Sequence, residues 1–237
     1  MRALILAAGR GTRISRYLSG NPKCTVDIGN KKLIQYTVNL LKSRDITEIG
    51  IVLGYRQDVI KNVLRNEKVK FFYNPFFDVT NSIASAWFAK DFFAQEDTLI
   101  MNGDVFMEET LLDEIIQTQQ SPVLFADVTR REEADYKFFH QNGVLLKYGK
   151  DLRLEETSSE YIGVAKMDAD FVPRFVTRLE KMICEQQHSV WWENVLYSMT
   201  EQQPIYVADV CGKFWAEVDY IEDYDRIKKF VDSHEMI

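Results

Sequence analysis

Arg2-Ala3-Leu4-Ile5-Leu6-Ala7-Ala8-Gly9-Arg10-Gly11-Thr12-Arg13 opens the chain and decides its fold class. The apolar run Arg2–Ala7 reads as a strand buried on both faces, because its length suits a strand and a glycine-bearing turn follows at once. Ligands of open α/β sheets bind beyond the carboxyl ends of the strands, and this loop leaves such an end. Small residues let the backbone approach a nucleotide, and glycines let N–H groups converge on phosphate oxygens. Arg13 adds a fork of donors suited to phosphate. Two glycines alone also make a tight strand exit without any ligand, so the pair leaves both readings open. The Walker pattern is absent, and the dinucleotide fingerprint lacks its third glycine.

Outward from this strand, short β-type runs alternate with helix-type stretches. Leu33–Lys42, Asp58–Asn66 and Ser82–Phe93 have helical spacing, and Glu48–Leu53, Val69–Tyr73 and Thr98–Asn102 read as strands. This βαβα order predicts an α/β fold with a mixed, mostly parallel sheet covered by helices on both faces. The second half is less regular. Val123–Val128, Phe138–Gln141, Val144–Lys147, Tyr161–Met167, Ile205–Val210 and Phe214–Glu217 read as strands, some antiparallel. Helices are expected over Phe171–Glu185, around Trp192–Met199 and over Ile221–Ser233. Without repeats or a Pro/Gly-rich linker, residues 1–237 are expected to form one domain, with about 120–215 elaborating one side of the site.

Charged residues follow at telling places. Asn21-Pro22-Lys23 lies ten residues beyond Arg13, and the proline fixes the backbone just before the lysine. A positioned lysine stabilises the charge that builds up in phosphoryl and nucleotidyl transfer; a solvated surface lysine is the plainer alternative. Asn102-Gly103-Asp104 follows the fourth strand. Its carboxylate suits a hard divalent cation such as Mg²⁺, and equally suits capping a turn. In Glu217-Val218-Asp219, strand alternation puts both acids on one face, either as metal carboxylates or as part of the N-terminus of the last helix.

Together, LAAGRGTR, NPK, NGD and EVD resemble the sugar-nucleotide pyrophosphorylase superfamily of nucleotidyltransferases, in this order and over essentially the whole chain. The short length, the WWENVLY segment (Trp191–Tyr197) and EVDYIEDY (Glu217–Tyr224) are similar to its phosphocholine cytidylyltransferase branch and to the related phosphoglutamine cytidylyltransferases of capsule synthesis. The resemblance implies a Rossmann-like, glycosyltransferase-A type fold. It also implies a reaction of CTP with a small phosphorylated metabolite that releases pyrophosphate, with Mg²⁺ as cofactor and a role in capsule or surface polysaccharide modification. Phosphoglutamine is the favoured acceptor and phosphocholine the second.

Residue by residue, the resemblance puts Leu6, Ala7, Ala8, Gly9, Asn102 and Gly103 along the nucleotide. Gly11, Thr12 and Arg13 would take its phosphates, and Asn81 and Ser85 would face the cytosine edge. Lys23 and Arg13 are the catalytic candidates, and Asp104 and Asp219 would hold Mg²⁺. Tyr136, Lys137, Tyr161, Trp191, Trp192 and Glu217 are expected on the acceptor side. An aromatic cage there would receive a quaternary ammonium by cation–π attraction. Lys137, if it points inward, repels choline and suits the extra carboxylate of phosphoglutamine. The Leu-x-Pro segment of many superfamily members is replaced here by Ile14-Ser15-Arg16-Tyr17. A sugar-1-phosphate uridylyl- or thymidylyltransferase is the nearest alternative, and a nucleotide-binding domain without turnover is the alternative of another class.

Composition narrows the partners. With 29 Lys+Arg against 36 Asp+Glu the net charge is −7, which argues against a broad nucleic-acid surface. No apolar run is long enough to span a bilayer, and the N-terminal run is too short for a signal-peptide core. Cys24, Cys184 and Cys211 have no metal-ligand spacing and read as free thiols of a cytoplasmic protein. Three histidines make a His-based zinc site improbable. The apolar residues near the C-terminus pack either internally or across a homo-oligomer interface.

Overall fold

Alternate residues of the first strand bury into two different cores. In β1 (Arg2–Ala7), Ala3, Ile5 and Ala7 face one apolar cluster while Leu4 and Leu6 face the other. Such a strand must be continuously apolar, because period-2 alternation sends successive side chains to opposite faces and both faces are covered. The structure is a computed structural model, and it describes residues 1–234 apart from Thr12, Arg13, Ser15 and Arg16.

The first half alternates as the sequence predicts. After β1 come α1 (Leu33–Lys42), β2 (Glu48–Leu53), α2 (Gln57–Val63), β3 (Lys70–Tyr73), α3 (Ser82–Phe88) and β4 (Thr98–Asn102). The helix expected to reach Phe93 stops at Phe88, and a 3-10 turn over Lys90–Phe92 continues it. Beyond β4 lie β5 (Val105–Met107), α4 (Glu109–Gln117), β6 (Val123–Asp127), β7 (Lys137–Gln141), β8 (Val144–Gly149) and β9 (Ser159–Met167). The chain closes with α5 (Val172–Cys184), α6 (Asn194–Tyr197), β10 (Tyr206–Asp209), β11 (Trp215–Glu217) and α7 (Ile221–Ser233).

Among the described residues, nine strands form one sheet in the order β3-β2-β1-β4-β9-β6-β10-β8-β7. The sheet is mixed, as expected. Parallel pairing holds from β3 to β4 and recurs at β6–β10, while β9 runs antiparallel to both β4 and β6. Strand β7 also pairs with the start of β9, so the second half curls back on itself. Helices cover both faces. Buried residues of α1, α2, α4 and α7 join one core, and those of α3, α5 and α6 join the other. In α5, Phe175, Leu179 and Met182 recur at helical spacing and are buried. Truncating one of them to alanine costs about 2–5 kcal/mol.

A separate antiparallel pair, β5–β11, sits at the carboxyl end of β4. Ala216 opposes Phe106 and Glu217 opposes Val105. This pair brings the far end of the sequence to the first acidic turn.

Candidate functional site

The loop after β1, the turn after β4 and the strand ends of β9 and β11 surround one cavity of about 650 Å³. Its position at the carboxyl ends of β1 and β4 is where an open α/β sheet receives a ligand.

Two glycines make the close approaches possible. Gly11 has φ +61°, and a Cβ there would strike the stem of Lys23. Gly103 donates its N–H to the Leu6 carbonyl at 2.8 Å, and a Cβ there would come within 2.9 Å of that same oxygen. Each needs glycine for a different reason, the first for its backbone conformation and the second for space.

Lys23 starts a 3-10 turn that the extended Pro22 leads into. The Thr25 N–H and hydroxyl both return to the Pro22 carbonyl, at 2.9 and 2.7 Å, and lock that turn. The Lys23 ammonium then reaches both acidic motifs. It pairs with the Asp219 carboxylate and lies 3.4 Å from Asp104 Oδ2. Burial alone would lower the Lys23 pKa, but Asp104 and Asp219 outweigh it and raise it. Burial raises the Asp104 carboxyl; Lys23 opposes this and Asp219 adds to it. Glu217 is pushed well up, first by burial and then by Asp104 and Asp219. Among the described residues, Asp104, Asp219 and Glu217 thus gather round the Lys23 ammonium.

Asp104 and Asp219 offer hard oxygen ligands on one side of the cavity. Among the described residues no group of three or more His, Cys, Asp or Glu side chains is arranged to hold a metal by itself. Hard carboxylate oxygens of this kind suit Mg²⁺, which completes its shell with water and phosphate oxygens.

Another part of the cavity lining is aromatic and acidic. Tyr136 meets Trp191 edge-on, with ring centres 5.5 Å apart, and lies parallel to Tyr197 at 6.1 Å. Tyr161 packs beside them, 6.3 Å from Tyr136. Glu193 sits on this wall, and burial pushes its carboxyl up to about 8; Tyr161 and Asn102 temper the shift from nearby. Lys150 holds Asp135 at 2.6 Å and lies 5.9 Å above the Trp191 ring.

Most expected site residues line the cavity. Leu6, Ala7, Ala8, Gly9, Gly11, Lys23, Asn81, Ser85, Asn102, Gly103, Asp104, Glu217 and Asp219 do so, as do Tyr136, Tyr161 and Trp191. Asn81 caps α3 by accepting from the Ser82 N–H at 2.8 Å, and the Ser85 hydroxyl accepts from Asn74 at 3.0 Å. Thr12 and Arg13 lie outside the described residues.

Two expectations are corrected. Lys137 does not line the cavity. Its ammonium donates to the Leu152 carbonyl at 2.9 Å, drawn to the chain that follows β8. Trp192 does not line it either. It is fully buried, and its indole N–H donates to Asn102 Oδ1 at 3.0 Å, so it holds the strand end rather than the acceptor. Sequence reasoning missed Glu193, Tyr197 and Lys150. The signal for the first two was an acid and a tyrosine inside the Trp-rich segment already singled out.

The pattern of the MobA-like NTP transferase domain matches residues 3–211. The chain belongs to that family. Members of this NTP transferase family act on nucleoside triphosphates, which fits the glycine loop and the Lys23 cluster. The CTP:phosphoglutamine cytidylyltransferase of Campylobacter jejuni is 27% identical, over 95% of this chain and 98% of its own length. The choline-phosphate cytidylyltransferase of Streptococcus pneumoniae is 23% identical, over 98% of each. Among solved structures, the CTP:phosphocholine cytidylyltransferase from Streptococcus pneumoniae superposes with a TM-score of 0.80 at 21% identity, covering 97% of this chain and 98% of that one. The inositol-1-phosphate CTP transferase from T. maritima reaches 0.80 at 18%, covering 97% and 96%. These likenesses establish a nucleotidyltransferase Rossmann-like fold. No helix among the described residues is long and apolar enough to cross a membrane.

Proposed function

We propose that this NTP transferase is a cytidylyltransferase that joins CTP to a small phosphorylated metabolite with a cationic end and releases pyrophosphate. The observation that carries the reading is one cavity lined by two unlike groups: Lys23 between Asp104 and Asp219, and the set of Tyr136, Tyr161, Trp191 and Glu193. The first suits a triphosphate and the second a cation. The two cytidylyltransferase relatives, matched over nearly their whole length, supply the choice of cytidine.

In this reading Leu6, Ala7, Ala8 and Gly9 lie along the nucleoside, with Asn81 and Ser85 toward the base. Gly11, Thr12 and Arg13 take the phosphates. Asp104 and Asp219 would hold Mg²⁺, which would supply Lewis-acid polarisation of a phosphate oxygen. A phosphate oxygen of the acceptor attacks the α-phosphorus in line with the bond to the β-phosphate. That bond breaks and pyrophosphate leaves. Lys23 stabilises the charge that accumulates on the α-phosphate oxygens. The acceptor phosphate is ionised near pH 7, so the chain need only position it.

Lys137 gives no reason to prefer phosphoglutamine, because its ammonium is spent on the Leu152 carbonyl. Phosphoglutamine and phosphocholine both present a cationic nitrogen to the aromatic wall, and both remain candidates for a surface-polysaccharide pathway. The test is pyrophosphate release with Mg²⁺ across CTP, UTP, dTTP, ATP and GTP, each paired with phosphoglutamine, phosphocholine, 2-aminoethylphosphonate and glucose 1-phosphate. Turnover confined to CTP and the cationic acceptors supports the reading. Preference for UTP or dTTP with the sugar phosphate defeats it.

A further inference from the structure

Three buried polar atoms on the cavity wall make no well-aligned hydrogen bond among the described residues, although the Tyr161 hydroxyl lies near the Glu193 carboxylate and the Tyr197 hydroxyl near that of Tyr136. They are Glu193 Oε2 and the hydroxyl oxygens of Tyr161 and Tyr197. Glu193 is 5% exposed, Tyr161 6% and Tyr197 2%, and all three line the cavity. They are neighbours: after burial itself, the Glu193 charge is the largest influence raising the pKa of both phenols. Buried polar groups are nearly always well paired, so three poorly satisfied oxygens at one place point to a ligand that completes their hydrogen bonds. A ligand that displaces water from such groups must reproduce its hydrogen bonds or lose affinity.

We propose that Glu193, Tyr161 and Tyr197 receive a primary ammonium group of the acceptor and thereby select primary amines over quaternary ones. The inference rests on the cytidylyltransferase reading above and narrows its acceptor. A primary ammonium carries three N–H donors and no acceptor, the complement of three oxygens. A quaternary ammonium donates no hydrogen bond to any of them. Tyr136 attracts either cation, and the Trp191 ring already carries the Lys150 ammonium 5.9 Å above it, so the rings do not discriminate. The oxygens do. A site built to hydrogen-bond a substrate rejects the analogue that lacks the donor far more strongly than an apolar pocket rejects an extra methyl group.

Two matched pairs test this with Mg²⁺ and CTP: phosphoethanolamine against phosphocholine, and phosphoglutamine against its Nα-acetyl derivative. On whichever scaffold the enzyme uses, the member with the free primary ammonium is expected to show kcat/KM higher by about ten-fold or more. Glu193→Gln should collapse that ratio, chiefly through the acceptor KM. Tyr161→Phe removes one oxygen with almost no change in volume, and should narrow the ratio even if the Glu193 variant folds poorly. Equal or better turnover of phosphocholine or of the acetylated compound overturns the proposal. Turnover of glucose 1-phosphate alone overturns it while leaving nucleotidyl transfer intact. No pyrophosphate from any pairing overturns the cytidylyltransferase reading and the proposal with it.

Discussion

The Val218 N–H donates to the Asp104 carbonyl at 3.0 Å. That bond extends the β5–β11 pairing by one step and sets Asp104 and Asp219, more than a hundred residues apart in sequence, on either side of the Lys23 ammonium. Replacing either acid by asparagine keeps the backbone bond and removes a charge. Asp104→Asn and Asp219→Asn should each lower kcat by about a hundred-fold or more, with an unchanged far-UV circular dichroism spectrum. Chelating divalent cations should abolish turnover of the parent protein. Mn²⁺ affinity in the presence of CTP should fall in both variants. A variant that keeps full activity and metal affinity removes that carboxylate from the site.

Gly11 makes room for Lys23, and Gly11→Ala is expected to act twice. A Cβ at φ +61° strains the backbone by roughly 1–2 kcal/mol. It also strikes the Lys23 stem and pushes the ammonium from its acidic partners. Urea unfolding should show the first effect and kcat the second. Loss of stability with an unchanged kcat would mean that Lys23 adapts without cost to the reaction.

How much of this was legible in the sequence depended on which side-chain directions the local pattern settles. The parallel half was readable because strands buried on both faces must be uninterrupted apolar runs, as Arg2–Ala7 and Glu48–Leu53 are. Helix α4 escaped notice although Leu111, Leu112 and Ile115 are spaced for one buried face, because it follows directly on the Asp104 turn and the short strand β5. The acidic motifs were legible as motifs, but their meeting depends on β5–β11 pairing across the length of the chain. Trp191 and Trp192 show the limit most plainly. Adjacent and chemically alike, one is 43% exposed in the cavity wall and the other fully buried, and only the turn that enters α6 decides which. Lys137 failed for a similar reason: its partner, the Leu152 carbonyl, lies beyond the next strand.

Trp192 ties the segment that carries Glu193 to the end of β4. Its backbone N–H donates to the Ser82 hydroxyl at 3.0 Å, and its indole donates to Asn102. Trp192→Phe keeps an aromatic ring but orphans Asn102 Oδ1 and opens a small void. The expected cost is about 2–4 kcal/mol in urea unfolding. The acceptor KM should rise more than the CTP KM, since Glu193 is the next residue. An equal rise in both would place the effect at the strand end instead.

Lys137→Met tests the correction to the acceptor site directly. The variant loses one hydrogen bond to a main-chain carbonyl and keeps the aliphatic stem. Stability should fall by about 1 kcal/mol or less, and kcat/KM for every acceptor should stay within about two-fold of the parent, as befits a surface change away from the site. A selective loss of activity toward an acceptor with a carboxylate would return Lys137 to the cavity.

Glu193 makes stability depend on pH in a direction opposite to that of a salt-bridged acid. Burial raises its pKa from 4.5 to about 8, so the native protein holds a proton that the unfolded chain gives up. Between those values the unfolded state binds fewer protons, and stability falls as pH rises. Below pH 4.5 both states are protonated and the group has no effect; above pH 8 the whole loss has been incurred. The shift caps that loss at about 5 kcal/mol, and a cation bound beside the carboxylate would offset part of it. The Glu193→Gln variant cannot ionise there. Urea midpoints measured at pH 5, 6.5 and 8 without ligand should show the parent protein losing stability relative to the variant at each step. Parallel curves would mean that the native carboxyl titrates near its ordinary value, with water in the cavity solvating it.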